Sequence, residues 1–367
     1  MGPVQFCHGM DHVTFVQQGT THHITGQVLV EAQDGGLLFK GQNQRIWTLM
    51  PDEIKKRSSD AEPFNSYTKS ELVRNLQATL PPGFDTHTTR HYLIFHNTSR
   101  EYARWCGGLY ERLYRAFFNF WRREGLKLEE PDVLVALIFR DQSSYIAYSK
   151  PELGDAVTSI IGYYSLATNH ITTFDLTGID KVRRNNDRRG SIKHIRQILS
   201  RPEAERTVAT VIHEATHQLA FNSGLQRRFA DNPLWLSEGL AIYFESPDLS
   251  SQRGWRGIGE LHPLRLRRLQ SSLASRPSDS LFTMLTNDLR FRDTRQAEIA
   301  YAEAWALCYH LLRTQSNEFV DYVKTIGSKG YLSEDSPETR IRDFQGAFHE
   351  NWQEIDAKFL RAIPSWR

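Results

Sequence analysis

Cysteine is scarce in this chain, which has 3 cysteines among 367 residues. Cys7, Cys106 and Cys308 are too few and too widely spaced to form a disulfide framework. Cys106 and Cys308 fall on the apolar faces of predicted helices. We therefore expect both to be buried hydrophobic side chains rather than metal ligands.

The chain also lacks a long apolar run and a strong charge of either sign. No stretch is long enough to span a membrane, so we expect no transmembrane segment. With 45 Lys and Arg against 43 Asp and Glu, the net charge is +2, which gives no general attraction to nucleic acid. Apolar content of 40% and charged content of 24% are typical of a soluble globular protein.

Positive charge is dense in one segment only, between residues 181 and 201. Such a segment can attract nucleic acid or anionic lipid. It also contains Asp187, and it lacks interleaved aromatic side chains on which bases stack. We interpret it as a solvated loop beside the cleft, and we expect no nucleic-acid partner. Its basic residues are Lys181, Arg183, Arg184, Arg188, Arg189, Lys193, Arg196 and Arg201.

The first residues of the chain are where a signal for export from the cell would be expected. Residues 1–12 contain no apolar core of a secretory signal peptide, so we expect no export signal in the chain as given. Cys7 would suit a lipid anchor if the true start lay upstream, but residues 4–6 before it are a poor lipobox. The cytoplasm is thus the default location, and an exported or lipid-anchored form is the alternative.

The most informative motif is HEATH at residues 213–217. Two histidines four residues apart on a helix project from one face, so both imidazoles reach one Zn²⁺ while Glu214 stays free as a base. A capping box at Ser200 with Pro202 in the first turn predicts where the helix begins, and residues 222–224 predict its end. Its buried stripe is Val208, Val211, Ile212, Ala215 and Leu219.

A third protein ligand is needed if the metal is to keep one position open for water. Glu238 is the best candidate, because Asn232-Pro233 starts a second helix at a suitable distance and Glu238 lies in its first turns. Gly239 beside it lowers helix stability by roughly 1 kcal/mol relative to alanine. That glycine makes sense if another helix packs closely against it.

With these two motifs the chain resembles the gluzincins, zinc peptidases with an HExxH helix and a third glutamate ligand on the following helix. More narrowly, it resembles a bacterial domain-of-unknown-function group in the peptidase MA-like superfamily. The resemblance covers about residues 90 to 350. It implies His213, His217 and Glu238 as ligands of Zn²⁺ and Glu214 as the base. It identifies no substrate.

Tyr301, on a later predicted helix, is a candidate for the oxyanion hydrogen bond that a tyrosine often supplies in gluzincins. Core packing is the alternative, since a tyrosine hydroxyl needs a partner in either case. Four further donors come next in order: Tyr163, Tyr164, Tyr243 and His310.

The pattern of elements predicts an α+β fold of zincin-like type. A small β-meander occupies residues 12–50, with a hairpin at Asp34-Gly35-Gly36, and a charged, serine-rich linker follows at residues 52–66. We divide the chain into residues 1–60, the meander and linker; 61–250, the zincin-like part with both motif helices; and 251–367, a helical C-terminal part.

Strand, helix and strand at residues 91–96, 102–121 and 133–139 predict the mixed sheet that zincins build above their active-site helix. Residues 159–166 and 170–176 predict a hairpin. By resemblance, one arm of it would be the edge strand that holds a peptide by β-augmentation. An ordinary hairpin with aromatic cross-strand pairs predicts the same pattern, so both interpretations stay open.

The sequence therefore predicts a zinc metallopeptidase acting on a peptide or protein substrate. A zinc-bearing binding protein without turnover and a hydrolase of a non-peptide amide are the alternatives. The presence of Glu214 favours catalysis, while the absence of a Gly-x-Met-Glu-Asn-like segment argues against a typical gluzincin aminopeptidase. The sequence specifies neither the choice between exo- and endopeptidase activity nor the oligomeric state.

Overall fold

The computed structural model describes residues 9–178, 191–245 and 258–366. Cys7 and residues 181–190 of the basic segment lie outside these ranges. The predicted boundary between residues 250 and 251 also lies outside them, so that division of the chain stays a prediction. No helix in the described ranges is long and apolar enough to cross a membrane.

The N-terminal part is a five-stranded antiparallel sheet in the order β4-β3-β2-β1-β5. Alternate side chains such as Val13 and Phe15 point into a small core of their own. The predicted meander is thus confirmed, with the turn at residues 34–36 joining β2 to β3. The strands are β1 Gly9–Gln17, β2 Thr20–Glu31, β3 Leu37–Gly41, β4 Ile46–Leu49 and β5 Ile54–Pro63.

The predicted linker at residues 52–66 is wrong, because most of it forms β5. This strand pairs with β1 at the edge of the sheet. Its residues from Lys55 to Pro63 are all exposed, so it shows none of the inward-outward alternation by which strands are recognised. Backbone pairing with β1, rather than burial of side chains, holds it in the sheet.

The main sheet is mixed and has the order β6-β7-β8-β10-β9. The three central strands are parallel to one another, and the two edge strands run antiparallel to their neighbours. The predicted hairpin is confirmed as β9 and β10, and β9 is an edge strand. The strands are β6 Asp85–Thr88, β7 Tyr92–His96, β8 Leu134–Phe139, β9 Gly162–Tyr164 and β10 His170–Phe174.

Helices cover this sheet, and two of them carry the motifs. The long second helix is amphipathic and buries Cys106, as predicted, together with most of its aromatic residues. Lys193 and Arg196 of the basic segment are exposed, as expected, but they lie on a short helix rather than in a loop. The helices are α1 Lys69–Gln77, α2 Arg100–Arg123, α3 Gln142–Leu153, α4 Ile192–Leu199, α5 Pro202–Asn222 and α6 Leu234–Phe244.

The C-terminal part is helical, and one continuous cluster of buried side chains extends from Leu72 to Ile363. Phe344 and Phe348 lie on one helix and Trp352 on the next, because His349 between them adopts a left-handed conformation with φ 55°. The predicted α+β class is confirmed. These helices are α7 Pro263–Ser272, α8 Ser280–Thr286, α9 Leu289–Arg292, α10 Ala297–Thr314, α11 Ser316–Gly327, α12 Pro337–Phe348 and α13 Trp352–Ala362.

Candidate functional site

The HEATH motif lies in the second half of α5. Every residue of the predicted apolar stripe of this helix is almost fully buried. The helix ends at Asn222, and Gly224 follows with φ 79°, as the sequence predicts. The predicted capping box is wrong, because Arg201 rather than Ser200 is the N-cap and the Arg201 side chain makes no capping hydrogen bond. Pro202, already preset for helical φ, begins the helix instead.

Gln218, directly after the motif, fixes α5 against the main sheet. It is fully buried, and its Nε2 donates hydrogen bonds to the backbone oxygens of Val135 at 3.0 Å and Asn169 at 2.8 Å. The first oxygen lies in β8 and the second lies just before β10. These bonds fix the position of the motif along α5 relative to strands β8 and β10.

The two motif histidines face one another. Their Nε2 atoms are 3.1 Å apart, and their side chains are only 15% and 12% exposed at His213 and His217 respectively. This is the geometry that i, i+4 spacing predicts for two imidazoles converging on one point.

Glu238 of α6 completes the group. Its Oε2 lies 3.1 Å from His213 Nε2, and its Oε1 lies 3.6 Å from His217 Nε2. The ligand atoms of the three residues all fall within 4.8 Å of one another. The structure therefore brings together the three side chains that the sequence selects, as a group able to hold a metal ion.

The close packing predicted at Gly239 is also present. A Cβ at this position would lie 2.6 Å from the backbone oxygen of Ala304 and 2.6 Å from Cys308 Sγ, both on α10. Real Cβ atoms do not approach other atoms so closely, so only glycine permits this separation of α6 and α10. The contact places α10, and with it Tyr301, next to the helix that carries Glu238.

The charges of His213 and Glu238 depend on one another. Burial alone lowers the pKa of His213, but the carboxylates of Glu238 and Glu245 outweigh it and hold that pKa well above its ordinary value. Burial raises the pKa of Glu238, yet His217 and His213 outweigh it and lower that pKa. The carboxylate thus favours a cation at the point where the two imidazoles meet.

Glu214 faces the edge of the main sheet. Its Oε2 accepts a hydrogen bond of 2.9 Å from the backbone N–H of Tyr164 in β9. Burial raises the pKa of Glu214, while His213 and His217 oppose that rise. A carboxyl with a raised pKa exchanges protons more readily near neutral pH than an ordinary glutamate does.

Tyr301 lies on α10, half-buried, with its ring edge-on to Phe291 at a centroid distance of 5.5 Å. Burial raises the pKa of its hydroxyl, and the carboxylates of Glu238 and Glu214 raise it further. The hydroxyl thus lies within electrostatic range of both site carboxylates. It makes no hydrogen bond to any residue in the described ranges.

Residues 207–332 match the model of a family described as "Protein of unknown function (DUF1570)". The chain is similar to that family over this segment. The segment contains HEATH, Glu238 and Tyr301, so the predicted likeness to a domain-of-unknown-function group is confirmed there. No curated protein matches the chain.

The four alternative candidates for the oxyanion hydrogen bond make other contacts in the structure. The hydroxyl of Tyr163 donates to Glu152, and that of Tyr164 donates to Asn169. The hydroxyl of Tyr243 lies against Gly259, where an added Cβ would be only 2.4 Å from it. His310 packs among C-terminal aromatic rings, including Trp366.

Sequence reasoning missed Glu245 at the C-terminal end of α6. Its Oε2 lies 3.9 Å from His213 Nδ1, the ring nitrogen that faces away from Glu238. Burial raises the pKa of Glu245, but His213 outweighs that effect and lowers it. A signal was available in the sequence, because residues seven apart on a helix share a face and Glu245 follows Glu238 by that spacing.

Proposed function

We propose that the protein is a zinc-dependent metallopeptidase. The observation that carries the proposal is the meeting of His213, His217 and Glu238 beside Glu214, which itself contacts the edge strand β9. Two imidazoles and one carboxylate match the ligand set of catalytic zinc sites with an open position. Structural zinc sites are instead closed by four protein ligands, so three ligands with a glutamate beside them favour a catalytic site.

The residues present fit zinc in number, type and burial. Zinc prefers nitrogen and oxygen ligands of borderline softness, and the three side chains converge with little solvent exposure. Glu245 behind His213 would orient the imidazole by its Nδ1, as carboxylates commonly do for metal-binding histidines. When bound there, zinc lowers the pKa of a water ligand and polarises a substrate carbonyl.

Glu214 is the proposed general base. Its carboxylate takes the proton of the attacking water and delivers it to the leaving amine. The bond from the Tyr164 N–H holds one oxygen of this carboxylate, which leaves the other oxygen for the proton. Its raised pKa suits a group that must both accept and release a proton.

The edge strand β9 is the proposed support for the substrate backbone. One side of β9 pairs with β10, while the N–H of Tyr164 faces Glu214. A peptide lying along this free edge would add a strand to the sheet and place its carbonyl near the base. Tyr301 would then donate its hydroxyl to the oxyanion, which such donors stabilise by about 3 kcal/mol.

Metal analysis combined with a peptide screen tests this function. Zinc-replete protein is incubated with a mixed-peptide library and the cleavage products are identified by mass spectrometry, with Glu214→Gln protein as the matched control. We expect new peptide termini with the unmodified protein only. Zinc binding without any Glu214-dependent product would favour a binding protein, and release of acid from non-peptide amides alone would favour the other alternative.

A further inference from the structure

Three basic side chains gather where the N-terminal sheet meets the main domain. Lys40 lies on β3, Arg45 lies just before β4, and Arg228 lies between α5 and α6. We call these three residues, together with His170 at the start of β10, the junction cluster. None of its members belongs to the proposed metal centre.

The turn that joins β9 to β10 is the common point of the cluster. The backbone N–H of Ile46, next to Arg45, donates to Ala167 in this turn at 2.8 Å. Arg228 Nη1 donates to the backbone oxygen of Leu166 at 3.1 Å. Lys40 pairs with Ile46 in the β3–β4 ladder, so it lies directly across from the same contact.

The positive charges of the junction cluster have no ion-pair partner among the described residues. Arg228 is only 6% exposed, and its one hydrogen bond is to Leu166. The guanidinium of Arg45 stacks 3.7 Å from the ring centroid of Trp47, and Lys40 lies 5.4 Å from the ring of Phe64. Ring faces offset part of the cost of burying a cation, but they leave its N–H edges free.

Two polar atoms of the cluster are buried without a hydrogen-bond partner. They are Nε of Arg45 and Nδ1 of His170. Buried polar groups are normally hydrogen-bonded, so each unpaired one requires an explanation. A bound group that accepts hydrogen bonds would satisfy both atoms at once.

The nearby carboxylates are already engaged by neutral donors. Glu152 accepts hydrogen bonds from Ser165 Oγ at 2.6 Å and from Tyr163 at 3.0 Å. Asp132 accepts from Gln44 Nε2 at 2.9 Å and from Ser66 Oγ at 2.7 Å. Three cations therefore share two carboxylates, which leaves the junction with an excess of positive charge.

The titration of the cluster agrees with this excess. Burial, followed by the positive charges of Arg45 and Arg228, lowers the pKa of His170 to about 3. Burial and then Arg228 lower the pKa of Lys40. Positive charge is thus disfavoured at this place, and a negative ligand would relieve the repulsion.

We propose that the junction cluster binds a small oxyanion, a phosphate or a carboxylate group, between Arg45 and Arg228. Guanidinium groups suit this role because their planar forks match the oxygens of such anions. The ligand would connect the N-terminal sheet to the turn that follows the edge strand β9.

Titration of the full-length protein with inorganic phosphate, at constant ionic strength set with KCl, tests the proposal by calorimetry. We expect saturable binding of one phosphate per chain in wild-type protein, and an acetate arm shows whether a carboxylate also binds. Saturation with either anion supports the site, and the absence of saturation with both overturns it.

Matched arginine variants locate the binding. We expect Arg228→Gln and Arg45→Gln to weaken it by at least about 10-fold, since each removes a charge-assisted donor. Arg227→Gln is the control, because Arg227 is the neighbouring residue and faces the ring of Tyr331 instead. Equal affinity in Arg228→Gln and wild-type protein overturns the proposal. If that variant fails to fold, Lys40→Gln, expected to bind more weakly, takes its place.

Zinc must be separated from the junction cluster, because phosphate also binds metal ions. The titration is therefore repeated on chelator-treated protein and on His217→Ala protein, and we expect unchanged affinity in both. Binding that disappears with the metal would assign the anion to the metal centre and overturn the junction site.

Discussion

Glu245 lies behind His213: its Oε2 is 3.9 Å from His213 Nδ1, on the opposite side of the imidazole from Glu238. Nε2 of His213 thus points at the proposed metal position, and Nδ1 points toward a buried carboxylate. At this distance Glu245 acts on His213 through its charge, since its Oε2 makes no hydrogen bond to a described residue.

Removing the charge of Glu245 should weaken zinc binding. We expect Glu245→Gln to lower zinc affinity by roughly 10- to 100-fold while the fold is retained, because the imidazole becomes less basic and less well oriented. Competition with a chromophoric chelator measures this affinity. The exposed Glu334→Gln is the control, and equal affinities in the two variants would remove Glu245 from the metal centre.

Substitutions at Glu214 and Glu238 should have different effects, the first on catalysis and the second on zinc binding. Glu214→Gln keeps the shape of the side chain but cannot accept a proton, so we expect full zinc content and a rate lower by about 100-fold or more. Glu238→Gln should instead lower zinc affinity. Elemental analysis beside the peptide assay distinguishes them, and identical zinc titrations for both variants would show the assigned roles to be wrong.

Tyr301→Phe should lower kcat with little change in KM. Only transition-state binding is lost if the hydroxyl meets the oxyanion, and we expect a reduction of roughly 100-fold in a folded, zinc-replete enzyme. Tyr243→Phe is the control, since that hydroxyl lies against Gly259. Normal kcat in the Tyr301 variant would assign this tyrosine to core packing.

Two glycine substitutions should have opposite effects on stability. Gly239→Ala forces a methyl group against α10, so we expect it to destabilise the fold by about 1–3 kcal/mol. Gly346→Ala on α12 meets nothing within 4 Å, and we expect it to stabilise the fold by about 0.5–1 kcal/mol. Urea unfolding measures both, and a neutral Gly239→Ala would contradict the close packing of α6 and α10.

His170 should make stability fall in acid. Burial lowers the pKa of His170 to about 3 in the folded protein, against an ordinary value of 6.5, so the unfolded chain binds more protons between these values. The contribution of His170 to the free energy of unfolding is therefore fully present above pH 6.5. It decreases by up to about 1.4 kcal/mol per pH unit as the pH falls toward 3. His170→Asn should reduce this slope in chloride buffer, whereas the exposed His349→Asn should not.

Local patterns in the sequence were sufficient for much of the site. The spacing of His213 and His217 determines their common face. Gly239 predicts a close contact with another helix, although it does not identify that helix. Glu245 was missed because its significance depends on accepting Glu238 first. The strand β5 was missed because a strand exposed on both faces leaves no hydrophobic periodicity.

Contacts between distant parts of the chain could not be predicted from such patterns. The start of α6 is held by Asp288, whose Oδ1 accepts from the N–H of Leu234 at 3.0 Å. Arg340 donates to Asp288 and, through two nitrogens, to Asp231. No spacing rule relates positions 52 and 109 residues apart. Only the folded chain brings them together.

The ion pairs of Arg340 with Asp231 and Asp288 determine where the protein can be truncated. The family match ends at residue 332, whereas the guanidinium that secures Asp231 and Asp288 belongs to α12, which begins at Pro337. A fragment trimmed to the matched segment would contain HEATH and Glu238 yet leave two partly buried aspartates, Asp231 and Asp288, without their counter-charge. The smallest workable piece for expression or for grafting this centre onto another scaffold therefore extends at least through Arg340.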